Sequence, residues 1–234
     1  MRPGRLGHVL VVDDEAVLAG VIASYLDRAG FDTTVTGDGL EAVELARTLD
    51  PTVIILDLGL PGLDGVEVCR QIRTFSDCYL IMLTARTDEV DVLIGLSVGA
   101  DDYVTKPFSA RELVARVQVM LRRPRAAGTP VDALPVRRFG ALQVDASARV
   151  ARVGDAEVDL TPTEFDLLSV LSARPRLALS RRQLLETIWG GADAGDEHLV
   201  DVHVANLRRK LGDDPSRQRY VVTVRGVGYR MGAG

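Results

Sequence analysis

Over its first half the chain alternates between two hydrophobic periods, and then it changes character. Short apolar runs at 8–12, 32–36, 53–57, 79–83 and 102–105 have the length and β-branched content of strands. Between them, apolar residues recur at helical spacing, predicting helices over 15–29, 38–49, a segment behind Asp64, about 88–98 and 109–122. The first helix is expected to turn Val17, Leu18, Val21, Ile22, Tyr25 and Leu26 inward, and the second Leu40, Val43 and Leu45. Asp38 and Asp64 stand where side chains cap helix N-termini. Val53 to Leu56 is apolar at every position, as in a strand covered on both faces. Five strand-helix units in alternation predict a doubly wound parallel α/β sheet of flavodoxin-like order.

The periodicity stops at 122–136, where three prolines and no apolar face predict a linker. Beyond it, 139–144, 148–153 and 156–160 alternate as antiparallel strands do. Thr161-Pro-Thr-Glu164 is a helix start, with Phe165, Leu167, Leu168, Val170 and Leu171 on its apolar side. Ser180 caps a second helix carrying Leu184, Leu185, Ile188 and Trp189, and a third, about 197–211, is expected to hold Leu199, Val200, Val202, Val204 and Leu207 mostly buried. Residues 220–231 read as a glycine-turned hairpin. The chain thus divides into 1–122, a linker at 123–136 and a smaller α+β domain at 137–234.

Polar residues at the ends of the apolar runs add chemistry. Asp57 closes the central strand, at the edge of a parallel sheet where ligands bind. Taken alone, it also reads as a residue that merely opens a turn. The run from Val9 to Val12 leads into Asp13, Asp14 and Glu15, the run from Tyr79 ends at Thr84, and the run from Asp102 ends at Lys106-Pro107. If neighbouring strands bring Asp13, Asp14 and Asp57 together, each carboxylate pair near 4 Å costs about 4 kcal/mol at an effective dielectric of about 20. Protons or a cation must then share the site, and Mg²⁺ suits two or three carboxylates, a backbone carbonyl and retained waters. Carboxylates, a hydroxyl and an ammonium at four strand ends suit phosphoryl transfer onto Asp57.

With 47% hydrophobic and 26% charged residues in 234, the chain can bury a full core. Its net charge of −5 divides unevenly: residues 1–123 hold 12 Lys/Arg against 19 Asp/Glu, and residues 124–234 hold 16 against 14. An acidic half joined to a mildly basic one suggests two tasks. Cys69 and Cys78 lack the spacing of a metal or redox motif and read as reduced packing residues. The apolar run near the N-terminus is too short for a signal peptide, and no stretch reaches the ~18 apolar residues of a membrane span, so a cytoplasmic protein is expected.

Asp13, Asp14, Asp57, Thr84 and Lys106, in this order at strand ends, resemble the receiver domain of two-component response regulators. The resemblance implies that Asp57 accepts a phosphoryl group from a phosphohistidine on a sensor histidine kinase. It also implies that Asp14, Asp57 and the Gly59 carbonyl bind Mg²⁺ with Asp13 in support. Thr84 and Lys106 would hold phosphoryl oxygens, Lys106-Pro107 would be cis, and Tyr103 would switch inward with Thr84. Gly59 and Arg86 would flank the acylphosphate and set its lifetime.

The landmarks Leu-Thr-Pro-Thr-Glu-Phe, Ser-Arg-Arg-Gln-Leu-Leu, Val-Asp-Val-His and Val-Arg-Gly-Val-Gly-Tyr resemble the winged helix-turn-helix effector of the OmpR/PhoB class. The resemblance implies double-stranded promoter DNA as a partner. His198, His203, Asn206, Arg208 and Lys210 would lie on the recognition helix, and Thr223 and Arg225 on the wing. Asn206 would pair with adenine and Arg208 with guanine or a phosphate. His203 reads equally as a structural residue. Ala205 departs from the basic residues common in relatives and offers only an apolar contact, for example to a thymine methyl. The loop Gly190–Asp196 is the analogue of an RNA polymerase contact.

In this class the active homodimer uses intermolecular ion pairs, for which Asp102, Glu112 and Arg116 are present. Val92, Ser97 and Gln118 replace expected charges, which implies a weaker or more apolar dimer. Two rival readings stand beside this one. The first is a phosphorylation-independent DNA-binding regulator that dimerises through its receiver, against which the intact acid, hydroxyl and lysine set argues. The second is an aspartyl-phosphate phosphatase, disfavoured by Gly59 in place of a second acid.

Overall fold

The computed structural model describes residues 5–85, 94–121, 135–190, 196–214 and 216–234. The chain forms two compact units, Met1–Leu121 and Arg122–Gly234. The expected linker at 123–136 lies almost wholly outside the described residues, as do Arg86, Val92 and most of the loop at 190–196.

The first unit is built on strands β1 (His8–Val12), β2 (Asp32–Thr36), β3 (Val53–Asp57), β4 (Tyr79–Ala85) and β5 (Asp102–Lys106). They form one parallel sheet in the order β2-β1-β3-β4-β5, which is the flavodoxin-like winding. Val9 to Val12 and Val53 to Leu56 are fully buried, because a sheet covered by helices on both faces gives its central strands no wet side. Register then decides what emerges at the carboxyl edge. Val12 lies opposite Leu56, Asp57 opposite Leu83, and Ala85 opposite Lys106, so the polar residues closing these strands leave the sheet together.

Helices α1 (Ala16–Arg28), α2 (Gly39–Leu49), α3 (Gly65–Ile72) and α4 (Ala110–Leu121) cover the sheet. Residues 94–97 are also helical, inside the segment expected as a helix near 88–98. Asp38 and Asp64 cap α2 and α3, each accepting from the backbone N–H three residues on at 2.9 Å. The inward faces differ from expectation. Helix α1 buries Ala19, Ile22 and Leu26 while Val17 is 84% exposed and Val21 is also exposed. Helix α2 buries Gly39, Ala42, Val43 and Ala46 and leaves Leu40 exposed. On α2 a small residue is required where the helix starts, since a Cβ at Gly39 would lie 2.6 Å from the Leu63 carbonyl oxygen. The loops are pinned by Arg73, whose guanidinium donates to the Gly99 and Cys78 carbonyls and pairs at 2.7 Å with the fully buried Asp101. Cys69 and Cys78 are free and buried, and burial pushes the Cys69 thiol up to about 12.

The second unit opens with an antiparallel sheet of β6 (Arg137–Phe139), β7 (Leu142–Asp145), β8 (Val150–Val153) and β9 (Ala156–Glu157). Helices α5 (Pro162–Ala173), α6 (Arg181–Trp189) and α7 (His198–Leu211) follow. The hairpin of β11 (Val221–Val224) and β12 (Gly228–Met231) gains a third strand, β10 (Leu179–Ser180), which two residues of sequence do not announce. Both α5 and α6 start in reciprocal capping boxes, Thr161 with Glu164 and Ser180 with Gln183. Gly228 is obligatory at the hairpin, since a Cβ there would sit 2.1 Å from the Leu179 carbonyl oxygen. Three helices followed by a hairpin make this a winged helix.

Candidate functional site

The carboxyl edge of the parallel sheet gathers the charged groups expected there. Carboxylate oxygens of Asp13, Asp14 and Asp57 lie within 4.8 Å of one another; Asp13 and Asp57 are buried and Asp14 is exposed. Lys106 reaches in from the end of β5, its Nζ 3.0 Å from Asp13, 3.2 Å from Asp57 and 3.3 Å from Glu15. The sequence offers Glu15 only as part of an acidic run, and its contact with Lys106 depends on the turn from β1 into α1. Thr84 is buried at the end of β4, in register with Thr105. The Lys106-Pro107 peptide bond is cis.

Electrostatics follow from this packing. Burial raises the Asp57 carboxyl above its ordinary range; Lys106 and the Gly59 backbone N–H pull it down, and Asp13 pushes it up again. Burial acts downward on the Lys106 ammonium, but Asp13 and Asp57 outweigh it and hold the group above its ordinary value. The edge therefore combines a cation in place with carboxylates that remain in excess of it. Such a set, with hard oxygen donors only, fits a Mg²⁺ ion. Gly59 adds room: a Cβ there would stand 3.4 Å from Asp57 Oδ2, so any larger residue would lie along the carboxylate.

Other expected residues are placed differently. Asp102 and Arg116 pair at 3.0 Å within a single chain, and Arg116 also holds Glu112 at 3.0 Å. In the single chain β5 and α4 thus bring the three side chains expected at a dimer interface into one cluster. Tyr103 is half-buried beside them, its backbone N–H donating to Asp102.

On the winged helix the structure corrects expectation. Asn206, expected to face DNA, and His203, for which a structural role was equally expected, are buried, 6% and 1% exposed. Helical spacing puts them on the side of α7 that packs inward, where His203 lies against Trp189 with ring centroids 5.4 Å apart and Asn206 accepts from Arg209. Lys210 pairs at 2.8 Å with the buried Glu164, tying α7 to α5. Arg208 donates to the Val221 carbonyl and to Thr223 Oγ1, so both expected contacts are joined to each other across helix and wing. His198 and Arg225 are exposed. Two further groups are added by the structure. Arg209 is exposed on α7, and Arg181 hydrogen-bonds Asp201, which also accepts from the Tyr229 hydroxyl. The outward spacing 198, 202, 205, 209 was the available signal for Arg209.

A parallel sheet with an acid and lysine cluster at its carboxyl edge, joined to a winged helix, defines a phosphorylation-type receiver with a DNA-binding effector. Residues 9–118 match the response regulator receiver domain, and residues 155–231 match the transcriptional regulatory protein C-terminal family. The chain is 47% identical to the DNA-binding response regulator MtrA of Mycolicibacterium smegmatis over 226 residues, 96% of each chain. It is similar to a solved mutant of RitR, at 26% identity and a TM-score of 0.77, covering 97% of this chain and 100% of that one. A response regulator of Thermotoga maritima, DrrB, described as an OmpR/PhoB homologue, matches at 32% identity and a TM-score of 0.51, covering 96% and 98%. The chain belongs to the OmpR/PhoB-type family of DNA-binding two-component response regulators. Among the described residues no helix is long and apolar enough to cross a membrane.

Proposed function

We propose that this regulator is switched by phosphorylation of Asp57. The observation that carries the reading is Lys106, seated between Asp13 and Asp57 at the edge where four strands end. In the reaction an Asp57 carboxylate oxygen forms a bond to phosphorus as the bond from phosphorus to the imidazole nitrogen of a kinase phosphohistidine breaks. The electron pair leaves on that nitrogen. Lys106 balances charge on the phosphoryl oxygens, and Thr84 donates its hydroxyl to one of them. Asp13, Asp14, Asp57 and the Gly59 carbonyl are the groups to hold Mg²⁺, which when bound supplies positive charge to the phosphoryl group. The chain catalyses no turnover beyond its own phosphorylation and dephosphorylation.

Phosphorylation adds about 1.5 to 2 negative charges at the strand edge. The response is a shift between two receiver conformations, with Thr84 drawn to the phosphate and Tyr103 turning inward. Opening of the Asp102, Glu112 and Arg116 cluster frees those groups to pair across a homodimer. The dimer binds promoter DNA in the cytoplasm and meets RNA polymerase, α7 entering the major groove and the wing, with Thr223 and Arg225, lying beside the backbone. His198 and Arg209 are the exposed α7 groups that face phosphates or base edges.

Intact mass tests the switch, using protein incubated with Mg²⁺ and acetyl phosphate, for wild type and Asp57→Ala, with size exclusion on the same samples. One phosphoryl adduct in wild type alone, accompanied by a dimer, is expected. Absence of an adduct with both acetyl phosphate and a phosphorylated histidine kinase would overturn the reading.

A further inference from the structure

The outward stripe of α7 runs through His198, Val202, Ala205 and Arg209, spaced by four, three and four residues on one face. Val202 is partly exposed and the other three are exposed. The neighbouring polar groups are engaged inside the unit. Asp201 accepts from Arg181 and Tyr229, Arg208 holds the wing, Lys210 holds Glu164, and Asn206 is buried. The middle of the stripe therefore presents Val202 and Ala205, whose side chains have neither donor nor acceptor. The polar side chains of the stripe stand at its two ends, His198 near Asp201 and Arg209 donating to Asn206, both exposed. In the major groove one base-edge feature is recognised by apolar contact, the C5-methyl of thymine.

Resting on the DNA-binding reading above, we infer that α7 selects its site through thymine methyl groups packed against Val202 and Ala205 at the centre of each half-site. His198 and Arg209 make the flanking polar contacts. Burial of one methyl is worth about a fourfold change in affinity. A cytosine at the same position offers an amino group that neither Val202 nor Ala205 can satisfy, so discrimination against it is larger than the methyl effect alone.

The test uses the full-length protein with Mg²⁺ and acetyl phosphate. Duplexes enriched from a random pool are remade with each thymine replaced in turn by uracil, which removes the methyl and keeps every hydrogen-bonding group. At one or two central positions of each half-site uracil is expected to weaken binding about fourfold. In the near-isosteric Val202→Thr variant, with folding checked by thermal melting, that penalty falls below about twofold. Ala205→Arg is expected to move the preference at its position toward guanine. Uracil tolerated at every position of a strongly enriched site would overturn the methyl readout while leaving DNA binding intact. Failure of any sequence to enrich would overturn the DNA-binding reading itself, and this inference with it.

Discussion

The strand edge around Asp57 and helix α7 both carry many charged residues, and the two regions handle them in opposite ways. At the strand edge three carboxylates crowd around one ammonium, and burial holds Asp57 above its ordinary pKa. The arrangement is electrostatically unsatisfied. On α7 the charges are satisfied inside the unit: Lys210 on Glu164, Arg208 on the wing, Asp201 on Arg181. Just beyond α7, Asp213 accepts three backbone N–H groups, from Arg219, Tyr220 and Val221. One region retains a repulsion that a cation would relieve, and the other uses its polar residues to hold helix against hairpin. The lesson is that the same kinds of charged residue can leave a net excess at a strand edge or cancel one another within a helical unit, depending on their neighbours.

If this contrast is right, removing polar groups should destabilise the winged helix and stabilise the receiver. The largest effect is expected for Asp213→Ala, which strands three backbone donors and should cost about 4 kcal/mol in urea denaturation. Lys210→Ala should cost about 3 kcal/mol, because Glu164 is left charged and buried. In both variants the receiver transition should stay where it is in wild type. A Lys210→Ala protein of unchanged stability but weakened DNA binding would return Lys210 to the DNA-contacting set.

The opposite sign is expected at the strand edge. A carboxyl whose pKa is raised in the fold contributes stability at low pH and loses it as pH rises through that value, so at pH 7 ionised Asp57 is a burden. Without Mg²⁺, Asp57→Asn should stabilise the receiver by on the order of 1 kcal/mol, Lys106 already offsetting most of the repulsion. A destabilised Asp57→Asn receiver would mean that the Lys106 pair outweighs the crowding.

The smallest signal is spectroscopic. Burial and the hydrogen bond to Asp201 push the Tyr229 hydroxyl up to about 12. Tyr229 should thus be among the last tyrosines to ionise in an ultraviolet titration. Its contribution to hairpin stability is complete below pH 10 and is lost as pH rises from about 10 to 12. In Asp201→Asn the Tyr229 ionisation should move to lower pH.

Much of the receiver was legible from the sequence by itself. Apolar runs of strand length, each closed by a polar residue, predict a buried parallel sheet and place Asp13, Asp57, Thr84 and Lys106 at strand ends, while the strand order β2-β1-β3-β4-β5 makes those ends neighbours. Caps behaved likewise, since Asp38, Asp64, Thr161 and Ser180 act on backbone groups within three residues. Tertiary structure alone decided which helix face turns inward: Ala19, Ala42 and Ala46 are buried while the more hydrophobic Val17 and Leu40 are exposed. It alone placed Glu15 on Lys106 and closed Asp102, Glu112 and Arg116 within one chain. It also decided that His203, Asn206 and Lys210 serve the interior of the winged helix while Val202, Ala205 and Arg209 face outward. A strand end delivers its side chain to the edge of the sheet whatever surrounds it, whereas a helix has a face for every residue, and only its packing partners determine which face remains in water.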